Sequence, residues 1–241
     1  METELTDPTG FADCGCAYPD YVPDPVVARS NAIFARLRET TSLVSNVREG
    51  LAHLSMHRTV SVGGMQVGIV HGDLHSLAGW SLAVENLEPA DETLRERLGC
   101  ADAPMTSLAH VHRCMEHAGI RILACSHTCL PYAQVLAGAT GSTVVINNGS
   151  AGMPNFSGTR FGLVTRISRD GDPHPAAVYG ATLRRPRCDA VAVEYDHDRW
   201  LKRFLREWPP GSPAHPSYWA RLVEGPAYEI SRAVRDGVAG R

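Results

Sequence analysis

The chain has 241 residues, 44% hydrophobic and 20% charged, and its 23 basic and 26 acidic side chains leave a net charge of −3. That length suits one large domain or two small ones with a core that needs no covalent staples. The slight acidic excess argues against nucleic acid as a partner. No apolar run approaches the roughly 20 residues of a membrane helix. The acidic opening METELTDPTG lacks the basic-then-apolar order of a secretion signal. A cytoplasmic location with no membrane partner is therefore expected. Seven cysteines, an odd number without secretory context, read as free thiols or metal ligands rather than disulfides.

In chain order, residues 1–23, with Cys14-Gly15-Cys16, read as an irregular loop. The single residue between these cysteines is shorter than the usual zinc-ligand spacing, which favours a structural role. Asp24-Pro25 opens a helix with Asp24 as its cap, and Val26, Ile33, Phe34 and Leu37 carry the helical period to about Arg38. A second helix is predicted over residues 43–54. Residues 60–70 read as two strands joined at Gly63-Gly64.

Helices are expected over 91–98 and 105–118, the latter stopped by Gly119. A buried strand covers 120–124, and a hairpin pairs 135–137 with 143–146 around Gly138 to Gly141. Residues 161–167 form another strand, 168–188 a Pro- and Arg-rich connection, and 191–195 a last strand. Helices broken by Pro209, Pro210 and Pro213 complete the chain. Strands that end in polar turns, with helices between them, indicate an α/β chain.

Three of those turns are informative together. One strand ends at His71-Gly72, a second at Ser126-His127-Thr128-Cys129 with Pro131 beyond, and a third at Asn147-Asn148-Gly149-Ser150. Polar groups just past the ends of parallel strands converge on one site, and two imidazoles presented there suit a divalent metal.

The order and spacing of these turns resemble the late motifs of the calcineurin-like metallophosphoesterase family, in its bacterial small phosphodiesterase-like branch, over roughly residues 10–205. There the strands end in His-Gly, in Gly-His-Thr-His with a following Pro, and in Asn-Pro-Gly-Ser. The resemblance implies a layered αββα sandwich of mixed β-sheets over residues 1–205, lacking the N-terminal strands, with residues 206–241 a helical extension packed on it. It implies one or two divalent ions (manganese, zinc or iron) and a small-molecule phosphate ester as substrate. His71, His127 and Cys129 match metal-binding positions, with Cys129 where the family has its last His. Asn147, Asn148 and Gly149 match the loop beside the metals and the substrate. The family's Asp-x-His, bridging Gly-Asp and Gly-Asn motifs are not read in the seventy residues before His71. The chain as written is therefore expected to be a weak or inactive phosphoesterase. The alternative is a non-catalytic module that binds a metal or ligand. Missing opening strands would leave a sheet edge for a second copy, giving a homo-oligomer.

A second alignment takes Asp73-Leu74-His75 as the opening Asp-x-His, placing Asp73 and His75 on the first metal. Other polar clusters have plainer readings. His110, His112 and His117 read as solvated helix residues, Asp196 as a helix cap, and Arg184, Arg185 and Arg187 as a solvated basic cluster.

Overall fold

The computed structural model describes residues 13–240, so the first twelve residues of the expected N-terminal loop lie outside the described residues. Helix α1 (Asp24–Ser42) begins with Pro23 at its cap position and Pro25 in its first turn, and no side chain caps it. Asp24 lies inside the first turn, where its charge complements the helix dipole. The helix runs past its predicted end at Arg38, and in its last turn the Thr40 and Thr41 hydroxyls donate to the Arg36 and Leu37 carbonyls (3.0 and 2.8 Å). Helix α2 (Ser45–Ala52) follows.

Strands β1 (His57–Val62) and β2 (Met65–Val70) form an antiparallel hairpin. Its turn needs positive φ at both central positions, and Gly63 (59°) and Gly64 (83°) supply it. Helices α3 (Glu92–Leu98) and α4 (Leu108–His117) are capped by Asp91, which accepts from Leu94 N, and by Ser107, which accepts from His110 N. Next come β3 (Ile122–Cys125), β4 (Tyr132–Leu136) and β5 (Thr143–Asn147). Together β1 to β5 make a mixed sheet in the order β1-β2-β3-β5-β4. The inner strands β2, β3 and β5 run parallel, while β1 and β4 are antiparallel to their neighbours. β3 and β5 are almost continuously apolar, as befits strands covered on both faces.

The second sheet is antiparallel, in the order β6-β8-β7-β9. It comprises β6 (Gly162–Ser168), β7 (Ala177–Thr182), β8 (Arg187–Val193) and β9 (Ala239–Gly240). β7 lies within the stretch expected to be a connection, and β8 begins earlier than predicted. Pro173, Pro175 and Gly180 mask the strand pattern of β7, yet its small residues are needed. A Cβ at Gly180 would press on the Asp189 carboxylate and the Cys188 carbonyl.

One core joins the two sheets: Ile122, Val144 and Ile146 from the first, and Leu163, Tyr179 and Cys188 from the second, with Leu94, Val111 and Met115 of the helices. The layered α/β sandwich expected from the sequence is thus the fold. Helices α5 (His197–Glu207) and α6 (Ala214–Glu224) pack Phe204, Ala214 and Leu222 against Ile33 of α1 in a second cluster. Asp196 caps α5, accepting from Arg199 N at 2.9 Å, as its position implies. Beyond them, the buried Tyr228 donates its hydroxyl to Pro131 O (2.9 Å), and α7 (Ile230–Ala233) leads into β9. Arg235 donates to the carbonyls of Val84, Leu87 and Pro89. No helix among the described residues is long and apolar enough to cross a membrane.

Arg187 is not solvated. Its Nε donates to Asp189 Oδ1 (2.6 Å), while Arg166 and the His174 amide meet Oδ2 (both 3.2 Å). Arg184 and Arg185 are exposed. The Asp189 side chain is 0% exposed, so removing it leaves cationic partners uncompensated beside the core. Asp189→Ala is expected to cost about 3–5 kcal/mol, read from urea unfolding at neutral pH. A loss below about 1 kcal/mol, the worth of an exposed pair, would contradict the burial argument.

Candidate metal centre

The parallel ladder sets the site. Ile69 of β2 pairs with Ala124 of β3, Ala124 with Ile146 of β5, and Cys125 with Asn147. The three strands therefore end level, and their turns emerge side by side. Ser126 N and His127 N both donate to His71 O (3.1 and 2.8 Å), which stitches the first two turns together. Ser126 Oγ lies 3.2 Å from His71 Nδ1, and the opposite nitrogen, Nε2, faces His127 Nδ1 at 3.0 Å. The two rings meet edge to face with centroids 4.9 Å apart, and Trp80 packs against His127 at 5.7 Å.

Asn147 ties in the third turn. Its Oδ1 accepts from Gly149 N (2.8 Å), and its Nδ2 donates to Thr128 Oγ1 (3.0 Å). The Asn148 amide donates to Cys125 O (3.2 Å). Gly149 has φ of 61°, and a Cβ there would collide with Asn155 Oδ1. Asn155 is itself buried, accepting from Ser150 N and donating to Ser150 O (both 2.7 Å). Arg221 of α6 reaches under the turns to Cys129 O (2.9 Å) and Pro154 O (3.0 Å). Neither Asn155 nor Arg221 was legible in the sequence, because their partners are backbone carbonyls and amides that leave no motif.

Cys129 departs from its expected place. Its backbone is left-handed (φ 57°), and its thiol turns back to donate to His127 O (3.5 Å). Burial pushes that thiol up, against the opposing pull of Arg221. Its sulfur does not join the two imidazoles. Among the described residues, the one group of three His, Cys, Asp or Glu donors within 4.8 Å of one another is His75, His110 and Cys114. Two facing imidazole nitrogens suit one divalent ion as two of its ligands. Among the described residues, no carboxylate completes a three-donor group with His71 and His127.

Asp73 is a loop builder. Its Oδ1 accepts from the His75 and Ser76 amides (2.8 and 2.9 Å) and its Oδ2 from the Ser81 amide (2.9 Å). Gly79 passes so close that a Cβ would strike this carboxylate. With both oxygens so engaged, and His75 turned to His110 (Nε2 to Nε2, 3.1 Å), the Asp73-Leu74-His75 alignment does not describe the pair at the strand ends. His110 is partly exposed, and His112 is not solvated. His112 is buried between Thr143 Oγ1 (3.0 Å) and Glu116 (3.1 Å); His117 is exposed. The Cys14-Gly15-Cys16 segment is a local turn, with Gly15 at φ 65° and its amide on Asp13 Oδ1 (2.9 Å).

A cavity of about 390 Å³ opens beside His71 and Ser126, with Met56, His57, Arg58 and Leu77 on its other walls. Arg58 gives it a cationic side.

No family model and no curated sequence matches the chain. Among solved structures it is similar to hypothetical protein PH1004 from Pyrococcus horikoshii OT3, at 16% identity and a TM-score of 0.50, over 94% of this chain and 71% of that one. That likeness is one of fold. A metallophosphoesterase from Sphaerobacter thermophilus aligns at 15% identity and a TM-score of 0.42, over 78% of this chain and 65% of that one.

The loop after β2 generates a pH prediction. Burial raises the Asp73 carboxyl, but donation from the His75, Ser81 and Ser76 groups outweighs it, so the folded value lies below the ordinary one. A depressed carboxylate contributes stability above its unfolded value, lost as pH falls through the folded value. Asp73→Asn is therefore expected to melt lower than wild type at pH 7, with the gap closing towards pH 3. Melts separated equally at pH 7 and pH 3 would show that ionised Asp73 is not what orders this loop.

Proposed function

We propose that this chain is a metal-dependent phosphoesterase-like protein that takes a small-molecule phosphate ester at the turns following β2, β3 and β5. The observation that carries the reading is the 3.0 Å approach of His71 Nε2 to His127 Nδ1, from adjacent parallel strands, in the turn order that resembles metallophosphoesterases. His71 and His127 would hold one divalent ion. When bound, such an ion supplies Lewis-acid polarisation of a phosphoryl oxygen and acidifies water.

The residues around the pair divide the remaining work. Ser126 Oγ, against His71 Nδ1, fixes the ring orientation and leaves Nε2 for the ion. Trp80 covers one side of His127 and excludes water from it. Asn147 is 1% exposed and committed to Gly149 and Thr128, so it shapes the turn. The half-buried Asn148, whose Nδ2 donates to Gly149 O (3.3 Å), is then the carboxamide whose oxygen is assigned to substrate. Arg58 offers charge to a phosphate in the neighbouring cavity.

Among the described residues no carboxylate joins the pair, so a second cation held by these donors alone would meet uncompensated repulsion. The expected hydrolysis is therefore slow and of single-ion type. The full chain is assayed on an aryl phosphodiester with manganese and then zinc, beside His127→Ala. Slow metal-dependent turnover, lost in the variant, supports the proposal. Zinc binding that His127→Ala weakens, with no turnover, favours the non-catalytic module. Turnover that His127→Ala leaves untouched overturns the site.

A further inference from the structure

We propose a separate zinc site formed by His75, His110 and Cys114, independent of the function proposed for the His71–His127 pair. His110 and Cys114 are four residues apart on α4, so they share a face, and His75 reaches them from the loop after β2. His75 Nε2 lies 3.1 Å from His110 Nε2, and Cys114 Sγ lies 3.7 Å from that same nitrogen. All three donor atoms fall within 4.8 Å of one another.

Tetrahedral zinc with bonds of about 2.0–2.1 Å to nitrogen and about 2.3 Å to sulfur places such ligands about 3.3–3.4 Å (N to N) and about 3.6 Å (N to S) apart. The observed spacings lie close to both. Hydrogen bonding accounts for them less well. An imidazole nitrogen either donates one proton or accepts at one lone pair, and here two groups converge on His110 Nε2. A metal at their centre would give each donor its own bond.

The ligands are also held in advance. Asp73 accepts the amide of His75 itself, which fixes the loop carrying the ring, and Ser107 Oγ accepts the amide of His110 at the start of α4. Two imidazoles and a thiolate favour zinc over manganese or magnesium. Three protein ligands leave a fourth position for solvent or a small ligand. A cavity of about 530 Å³ is lined by His75, Ser76 and Cys114 among others. Binding expels the Cys114 thiol proton to solvent as the zinc–sulfur bond forms, so no oxidant or reductant is involved.

Cobalt(II) is the probe, titrated into the full-length chain kept reduced with a phosphine. The expected result is a sulfur-to-cobalt charge-transfer band saturating at one thiolate per cobalt and bleached by zinc. Cys114→Ser removes the band, while Cys129→Ser and His127→Ala retain it. His75 is exposed, so His75→Ala keeps the fold and is expected to weaken zinc binding at least about tenfold. Absence of a thiolate band, a band that depends on Cys129 rather than Cys114, or zinc affinity unchanged in His75→Ala would each overturn the site. Loss of the band in His127→Ala with its retention in Cys114→Ser would likewise overturn the site.

Discussion

The candidate metal centre of this molecule depends on the register of three parallel strands. β2, β3 and β5 are locked by the pairs Ile69–Ala124, Ala124–Ile146 and Cys125–Asn147. Side chains alternate along a strand, so a slip of one residue would turn Val67, Ile122 and Val144 out of the core. That cost fixes where each strand stops, and the stopping points fix His71, His127 and Asn147. The core thus sets the 3.0 Å imidazole contact at a distance. The His71 carbonyl, shared by the Ser126 and His127 amides, ties the two turns once the strands are aligned.

The second organising element is the loop that follows. It departs from His71, turns about Asp73 and returns to the core at Leu82. An Asp carboxylate with three backbone donors is an unusually stable centre for a turn. It admits no side chain at Gly79, and a Cβ at Gly72 would likewise strike the Ser76 carbonyl. The same loop presents Trp80 to His127 on one side and His75 to α4 on the other. A carboxylate that resembles a metal ligand in sequence therefore acts by positioning two separate imidazole clusters.

The sequence made the strand-end histidines, the Gly63-Gly64 hairpin and the Asp196 cap legible because each is local: a strand period, a turn residue, a cap before a helix. What it left dark depends on contacts made across the fold. β7 is hidden by Pro173, Pro175 and Gly180, and is a strand because its small residues pack beside Asp189. His75 and His110 lie 35 positions apart, and nothing near either announces the other. His112 and Arg187 read as solvated from their own surroundings, yet one meets Thr143 and Glu116 and the other meets Asp189. Cys129 stands in the right motif, but a left-handed backbone turns its sulfur away.

Charge separates the two histidine clusters. Among the described residues, no carboxylate joins His71 and His127 in a three-donor group, so those donors alone would bring no negative charge against a bound ion's lost hydration. The trio on α4 and its neighbouring loop includes a thiol that becomes an anion when it binds, bringing a full negative charge to the metal. It also faces solvent through the exposed His75, which lowers the cost of desolvating the ion. A thiophilic cation therefore favours the trio. A harder cation gains little from sulfur and prefers oxygen ligands, and at the proposed His71–His127 centre a phosphate would be one source of them. A phosphate ester that supplied those oxygens would strengthen the binding of the ion that holds it. In the proposed two-histidine centre, metal and substrate binding would be coupled by the chemistry of the donors.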